Sequence, residues 1–196
     1  MADKFDPKNA EKLENPDRLV EMPPARLVEL LELTGAETVV DFGAGTGMYS
    51  LPVAEALPDG ELIAIDEQGI LLARLRDKLA AHPTAGRVRL VVNSDAHVPL
   101  PDGAADRLFM INVLHHINDD PAAMAEVVRL IAPGGLMLSA EFARMERPVG
   151  PPNDHVLALD ELRATLESLG LRERGVYLPG DVGRYHNVVV AEKLSA

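Results

Sequence analysis

The stretch VVDFGAGTGMYS, residues 39–50, decides the fold of this chain. It begins with apolar, β-branched residues typical of a strand buried on both faces, and an acid, Asp41, stands near the end of that strand. Glycines then occupy every second position, at 43, 45 and 47. A buried strand that runs into a glycine turn is typical of α/β proteins that hold a nucleotide-type ligand at the end of their first strand.

The alternation of strand and helix continues along the chain. Strands are predicted over residues 38–42, 61–66, 87–93, 106–112 and 136–142, with helices around 48–57, over 68–80 and from Pro121 onward. Asp120 and Pro121 supply an N-cap and a first-turn proline for that third helix, and Pro133-Gly134-Gly135 is expected to end it. Strands that alternate with helices predict a parallel, doubly wound α/β sheet with helices on both faces.

The two ends of the chain complete the predicted domain. Residues 1–23 are charged and are interpreted as an N-terminal arm, and residues 24–196 as a single domain that opens with a helix over 24–35. Residues 143–156 are predicted to form a loop, and Asp160 to cap a last helix. The final strands, 171–178 and 185–193, have no helix between them, so they must pair antiparallel.

Composition limits the classes of function. The 196 residues include 19 basic and 31 acidic side chains, a formal charge of −12, which disfavours nucleic acid and anionic membranes as partners. The chain has no cysteine, which excludes disulfides, thiolate zinc sites and cysteine nucleophiles. No apolar run is long enough for a transmembrane helix, and the N-terminus lacks the apolar core of a signal peptide, so a cytoplasmic location is expected.

Three ligands compete for the glycine turn. A triphosphate loop requires a lysine and a hydroxyl after the last glycine, but Met48 and Tyr49 stand there. A dinucleotide turn has its third glycine at the sixth position, and here it falls at the fifth, Gly47, which weakens that alternative without excluding it. A short-chain dehydrogenase would also need a tyrosine with a lysine four residues on, and no tyrosine of this chain has one.

The third ligand is S-adenosylmethionine, which carries no phosphate but has a sulfonium and an ammonium group. Such a ligand needs bare backbone to lie against and acids nearby. Three acids, Asp41, Asp66 and Asp95, stand at or just past the ends of predicted strands. Each alone would more often be a turn former or a helix cap. Together with the glycines, they favour the sulfonium cofactor.

At this point the chain resembles the class I S-adenosylmethionine-dependent methyltransferases, in the small-molecule branch similar to the quinone-biosynthesis methyltransferases. The resemblance rests on VVDFGAGTG, ELIAIDEQ, NSDAHVPLPDGAADRLFMINVLHHI and EVVRLIAPGGLML, and it covers nearly the whole chain. It implies a seven-stranded sheet of order 3-2-1-4-5-7-6 with the last strand antiparallel, in agreement with the predicted terminal hairpin. It also implies S-adenosylmethionine as cofactor and S-adenosylhomocysteine as product.

The resemblance assigns roles to individual residues. The three glycines, Gly43, Gly45 and Gly47, would pack against the cofactor. Asp41 would lie near its amino-acid end, and Asn112, which ends the fourth strand, near its methionyl group and the transferred methyl. Asp66 would accept both ribose hydroxyls with Glu67 beside it, and Asp95 with the backbone of Ala96 would contact the adenine.

The acceptor side is less defined. A general base is needed only if the acceptor carries a proton on the reacting atom. His115 and His116 follow the fourth strand, and because neighbours on an extended chain point to opposite sides, at most one should reach the acceptor; we favour His116. His155, in the loop over the pocket, is a second hypothesis. No metal site is expected.

Several alternatives remain open at the level of sequence. The arsenite methyltransferases have similar early motifs but depend on cysteines, so that activity is excluded here. A small organic acceptor remains the best hypothesis. A cofactor-binding module without turnover, or less favourably an NAD-linked oxidoreductase, would use the same fold, and the sequence leaves the oligomeric state undetermined.

Overall fold

The computed structural model describes residues 5–93 and 97–195. These residues form a seven-stranded sheet with helices on both faces. The strands are β1 (Thr38–Phe42), β2 (Glu61–Asp66), β3 (Val88–Val92), β4 (Ala105–Ile111), β5 (Ile131–Phe142), β6 (Leu171–Tyr177) and β7 (His186–Lys193). The helices are α1 (Ala10–Leu13), α2 (Asp17–Glu21), α3 (Pro24–Leu30), α4 (Ser50–Glu55), α5 (Gly69–Leu79), α6 (Leu114–Ile117), α7 (Pro121–Leu130) and α8 (Leu159–Ser168).

The strand order is β3-β2-β1-β4-β5-β7-β6, which confirms the predicted topology. The first five strands pair in parallel, and β7 lies antiparallel to both β5 and β6. The order reverses between β1 and β4, because the connections from β1 run to β2 and β3 on one side and those from β4 to β5 on the other. In sheets of this kind, ligands bind at the carboxyl ends of the strands beside that reversal.

Neighbouring residues of β1 show how the two layers form. Val39 belongs to a core cluster with Leu72 of α5, whereas Val40 belongs to a second cluster with Val127 of α7. Because side chains of a strand alternate between its faces, an unbroken apolar strand packs on helices on both sides. The sheet therefore lies between α3, α4 and α5 on one face and α7 and α8 on the other.

Two predicted boundaries differ from the structure. Helix α3 ends at Leu30 rather than near residue 35, and Glu32 just after it adopts a positive φ of 52°. Helix α7 begins as predicted, with the Asp120 carboxylate accepting from the amides of Ala122 and Ala123, but it ends at Leu130.

The Pro133-Gly134-Gly135 segment does not end helix α7, contrary to the prediction. It lies inside β5, which already begins at Ile131. Ile131 pairs with Ala105 and Leu136 with Arg107, so the residues between them form an irregularity in the ladder. A β-branched residue next to a proline and two glycines favours this extended, bulged backbone over another turn of helix.

The predicted cap of the last helix is also wrong. Helix α8 begins at Leu159 with Ala158 as its N-cap residue, so Asp160 lies within the first turn. Glu161 instead accepts a hydrogen bond from the amide of Ala158, at 2.6 Å, and a second from Arg144 at 2.9 Å. Glu161, three residues past the N-cap, is at the position from which an acid bonds back to the cap amide. Asp160, two residues past the N-cap, makes no such bond here.

Candidate cofactor site

The glycine turn after β1 requires residues without a Cβ. Gly43, Gly45 and Gly47 all have positive φ, at 80°, 57° and 79°. A Cβ on Gly43 would lie 2.4 Å from a methyl of Val113, and one on Gly47 would lie 2.2 Å from a methyl of Leu75. The glycines are therefore demanded by backbone conformation and by packing within the protein itself.

Hydrogen bonds hold this turn against the end of β2. The amides of Gly43 and Ala44 both donate to the carbonyl of Ile65, at 2.8 and 2.9 Å. The next residue of β2, Asp66, then accepts from the amide of Gly45 through Oδ2, at 2.8 Å, and from the amide of Gln68 through Oδ1, also at 2.8 Å. Asp66, at the end of β2, therefore forms part of the hydrogen-bonded structure of the glycine turn after β1.

The Asp66 carboxylate retains capacity for a ligand. Each carboxylate oxygen accepts one backbone hydrogen bond and has a further lone pair. Burial raises the pKa of Asp66, and the hydrogen bonds from Gln68 and Gly45 oppose that rise. Glu67, the next residue, is exposed. A diol presented to this corner would meet a carboxylate that is already held in place.

Asp41 is buried in β1, the strand next to the one that carries Asp66. Its Oδ2 accepts a hydrogen bond from the hydroxyl of Ser50, at 2.5 Å. Burial raises the pKa of Asp41 to about 7, with the charge of Asp66 adding to the rise and the Ser50 hydrogen bond opposing it. A buried carboxyl of this kind is easily ionised by a cation placed next to it, since an opposite charge lowers its pKa.

Asn112, predicted as the last residue of the fourth strand, instead follows β4 directly and adopts a positive φ of 57°. Its amide nitrogen Nδ2 lies 3.2 Å from Nε2 of His186. Its amide oxygen Oδ1 is buried and has no protein partner. A buried carbonyl oxygen without a donor is costly, so this atom marks a place where a bound molecule would complete the structure.

The two neighbouring histidines lie in the short helix α6, not on an extended chain as the prediction assumed. His115 is buried, and its Nδ1 lies 2.6 Å from Oε2 of Glu141. Oε1 of Glu141 accepts from the amides of Val113 and Leu114, at 3.0 and 2.7 Å. Glu141 is fully buried, so its carboxylate holds the start of α6.

His116 is half-buried, with its ring centroid 4.0 Å from that of His115. Its Nδ1 is buried and has no hydrogen-bond partner. Burial lowers the pKa of His116, as does the neighbouring His115. The charges of Glu141 and Glu67 act in the opposite direction, so the imidazole lies within electrostatic reach of the acid beside Asp66.

The remaining predicted site residues lie elsewhere. His155 is exposed on a single 3-10 turn, Asn153–His155, in the loop after β5. Asp95 and Ala96 fall outside the described residues. Among residues 5–93 and 97–195, no group of three or more His, Asp or Glu side chains could hold a metal ion.

The described part of the N-terminal arm, residues 5–23, lies over the glycine turn. Cδ1 of Leu13 is 3.3 Å from the point where a Cβ of Gly45 would stand. Nε2 of Gln68 donates to the carbonyl of Phe5, at 2.8 Å. Glu14 pairs with Lys78 of α5, at 2.8 Å. The arm therefore covers the corner between β1 and β2.

His186 is the main site residue missed by the sequence analysis. It begins β7, and its ring stacks on Phe142 with centroids 4.4 Å apart. The signal was available, since an antiparallel β7 next to β5 must begin at the edge where β4 and β5 end. A polar residue at that position therefore had to lie near Asn112.

The described residues hold two surface cavities of about 460 and 210 Å³ whose linings contain none of the predicted cofactor residues. The larger lies between α8 and β6, with Arg163 and Glu173 at its wall, and the smaller beside α3. In the described part of the chain, no helix has the length and apolar character to span a membrane.

Comparisons with known proteins agree with this geometry. A family model described as a methyltransferase domain matches residues 39–135, from β1 through the end of the bulge in β5. The ubiquinone/menaquinone biosynthesis C-methyltransferase of Syntrophotalea carbinolica is 30% identical over 122 residues, which cover 62% of this chain and 51% of that protein. This chain spans about half the length of the curated relatives it matches.

Solved structures extend the similarity to the whole fold. An S-adenosylmethionine-dependent methyltransferase from Aquifex aeolicus superposes with a TM-score of 0.88 at 28% identity, covering 97% of this chain and all of that one. The [4+2]-cyclase SpnF superposes with a TM-score of 0.76 at 17% identity, over 88% of this chain and 80% of that one, which shows the shared fold alone. The chain belongs to the class I S-adenosylmethionine-dependent methyltransferases, similar to the quinone-biosynthesis type, which confirms the predicted family and cofactor.

Proposed function

We propose that this protein transfers the methyl group of S-adenosylmethionine to a small organic acceptor and releases S-adenosylhomocysteine. In this proposal residues 1–23 act as an arm over the site, and residues 24–196 form the catalytic domain. The proposal is carried by one observation. Asp41, Asp66 and Asn112 meet at one edge of the sheet around the glycine turn, and Oδ1 of Asn112 is buried there without a partner.

The residues at this edge suit the parts of the cofactor. Asp66 would accept from the ribose hydroxyls through its remaining lone pairs, with Glu67 beside it. Asp41 would face the α-ammonium group, whose positive charge would lower its raised pKa and hold it ionised. Asp95 and the backbone of Ala96 are assigned to the adenine. Gly43, Gly45 and Gly47 would present backbone to the methionyl part.

The bound cofactor would supply a methyl group on a sulfonium, which is already activated for displacement. The protein must then hold the acceptor in line with that methyl and keep water away. Oδ1 of Asn112 would accept weak C–H hydrogen bonds, the only kind that a methyl group can donate. Leu13, which lies against Gly45, and the rest of the arm would shield the corner from solvent.

His116 and His155 remain the proposed bases for an acceptor that must lose a proton. The burial that lowers the pKa of His116 keeps its imidazole neutral at physiological pH, the form able to accept a proton. His155 is exposed, so it could act only if the loop after β5 brought it over the acceptor. Alanine variants at each position test the two hypotheses separately, with His82→Ala as a control far from the site.

The proposed function is tested by binding and by transfer. Calorimetry should show binding of S-adenosylmethionine and S-adenosylhomocysteine but not of NAD. Cofactor carrying an isotopically labelled methyl group, incubated with fractionated metabolite extracts, should label a small-molecule fraction. Because some relatives are named as quinone-biosynthesis C-methyltransferases, electron-rich aromatic rings belong among the purified acceptors tested. Binding without transfer to any fraction would favour a non-catalytic module instead.

A further inference from the structure

Asn112 and His186 form a side-chain pair that joins the end of β4 to the start of β7. Their nitrogens, Nδ2 and Nε2, lie 3.2 Å apart. An amide nitrogen can only donate, so Nε2 of the imidazole must be the acceptor and must carry no proton. The proton of the neutral ring is then on Nδ1, which is buried and has no hydrogen-bond partner among the described residues.

The imidazole ring of His186 has little freedom to change its orientation. It is 3% exposed and stacks on Phe142, the residue opposite it in the antiparallel ladder. A Cβ on Gly183 would lie 3.1 Å from its Nδ1, so the backbone of the β6–β7 turn closes over that side of the ring. The ring is therefore held in one orientation from both sides.

The surroundings also keep this imidazole uncharged. Burial lowers the pKa of His186 to about 3, and the positive charges of Arg18 and Arg147 contribute to the lowering. Arg18 comes from α2 in the arm, and Arg147 from the loop after β5, where its guanidinium lies 5.1 Å from the Phe142 ring. Arg18 donates to the carbonyl of Leu13, at 3.5 Å, and Arg147 to the carbonyls of Ala143 and Met145, at 3.0 and 3.1 Å.

We propose that His186 is a positioning residue, whose unprotonated Nε2 accepts from the amide of Asn112 and thereby turns Oδ1 of Asn112 toward the methyl of the bound cofactor. The inference rests on the proposed function, since it assigns Asn112 to the methyl-bearing end of the site. Without an acceptor at this position, the amide of Asn112 could rotate and present its nitrogen instead. A donor aimed at a sulfonium methyl would repel it, whereas a carbonyl oxygen attracts it.

The first test needs no cofactor. Nitrogen-15 NMR of the free protein at neutral pH distinguishes the two neutral tautomers of each histidine. His186 should be protonated on Nδ1 and unprotonated on Nε2, and one Nδ2 proton of Asn112 should correlate with Nε2. Protonation of Nε2 would overturn the inference, because that proton would require the opposite orientation of the amide.

The second test uses variants that differ in where they place an acceptor. In His186→Gln the side-chain oxygen can reach the position of Nε2, whereas in His186→Asn it falls near the position of Nδ1. The measured quantity is the ratio of the Kd for S-adenosylmethionine to the Kd for S-adenosylhomocysteine, which lacks the methyl. His186→Asn should raise this ratio about three- to tenfold, the effect of one hydrogen bond, and His186→Gln should restore it.

A purely structural role would give a different result. Phe142→Leu removes the stacking ring but leaves Nε2 in place, so it should weaken both ligands together and leave the ratio unchanged. Equal weakening of both ligands by His186→Asn, or an unchanged ratio, would overturn the positioning role. If wild-type protein bound neither ligand, the proposed function would fail together with this inference. Wild-type binding combined with a proton on Nε2 would overturn the inference alone.

Discussion

The carboxylate of Asp66 accepts a hydrogen bond from the amide of Gly45, with 2.8 Å between the two atoms. The bond links the end of β2 to the middle of the glycine turn after β1. Because Oδ1 of the same carboxylate accepts from the amide of Gln68, its orientation is fixed before any ligand arrives. Preorganisation of this kind reduces the cost of binding, since the group need not be ordered by the ligand.

Replacing Asp66 should therefore impair cofactor binding more than folding. Asp66→Asn keeps one acceptor oxygen but loses the charge and one of the two backbone bonds. We expect the Kd for S-adenosylhomocysteine to rise about tenfold or more, since a hydrogen bond to a charged group contributes about 1.5–3 kcal/mol. Isothermal titration calorimetry measures the change.

Asp77→Asn is the matched control for this prediction, because Asp77 is an exposed acid on α5. It removes the same charge from the neighbouring helix without touching the turn. Equal affinities of the two variants for S-adenosylhomocysteine would show that Asp66 does not contact the ribose.

Asp41 should make the stability of the protein depend on pH. Between its ordinary pKa of 3.8 and its folded-state pKa of about 7, the folded protein holds a proton on Asp41 that the unfolded chain has released. The folded state then binds more protons, so the free energy of unfolding falls as the pH rises through this window. A shift of this size corresponds to at most about 4 kcal/mol.

Asp41→Asn should remove this contribution, because an amide does not ionise but can still accept from Ser50. Urea unfolding of the wild type and the variant at pH about 4 and about 8 gives the difference. The variant should gain stability relative to the wild type at the higher pH. Parallel stability curves for the two proteins across this range would contradict the raised pKa.

Cofactor binding should show the opposite pH dependence. The α-ammonium group would pair with ionised Asp41, so the affinity for S-adenosylmethionine should increase as the pH rises from about 6 to about 8. In Asp41→Asn the affinity should be lower and nearly constant over the same range. Calorimetric titrations at several pH values measure both curves, and a pH-dependent increase retained in the variant would assign it to another group.

Glu141 should contribute more to stability than any surface acid. It is fully buried and accepts from two amides at the start of α6 as well as from His115. Glu141→Ala leaves these donors without a partner, so we expect a loss of about 3 kcal/mol in the free energy of unfolding. Glu173→Ala, which breaks an exposed pair with Arg163, should cost less than about 1 kcal/mol in the same urea titration.

The arm over the glycine turn should respond to the cofactor. Leu13→Ala removes the side chain that lies nearest Gly45, and Glu14→Ala removes the pair with Lys78. Both should raise hydrogen exchange in residues 5–21, because few contacts hold these short helices. Added S-adenosylhomocysteine should slow exchange there in the wild type. Glu29→Ala on α3 is the control, and exchange that is insensitive to the ligand would show that the arm lies clear of the site.

Much of the fold followed from the sequence because its signals are local. The apolar run before Gly43 predicts β1, and Asp120 with Pro121 predicts the start of α7, since one or two residues determine each of these features. Boundaries decided by distant partners were predicted less well. Ile131 extends β5 by pairing with Ala105, a contact that no pattern around Pro133 could reveal.

The candidate site divides in the same way. Asp41 and Asp66 were singled out because each stands at the end of a strand, and parallel strands bring their carboxyl ends to one edge. Asn112 was assigned by the family resemblance. The role of Glu141 could not be predicted from the sequence because its partners, the amides of Val113 and Leu114, lie 27 or more residues away along the chain.

The sequence by itself determined most of the strands, the glycine turn and the acids around it, because apolar patterning and backbone conformation are properties of short segments. The strand order was implied by the family resemblance. Only the tertiary structure decided which polar groups form hydrogen bonds within the protein and which keep a free position for a ligand. In the folded protein Asp66 accepts from the amide of Gly45, and Glu141 accepts from the amides at the start of α6. His186 lies within hydrogen-bond distance of Asn112. Burial, hydrogen bonding and charge at these atoms depend on chain segments that meet only in the folded state.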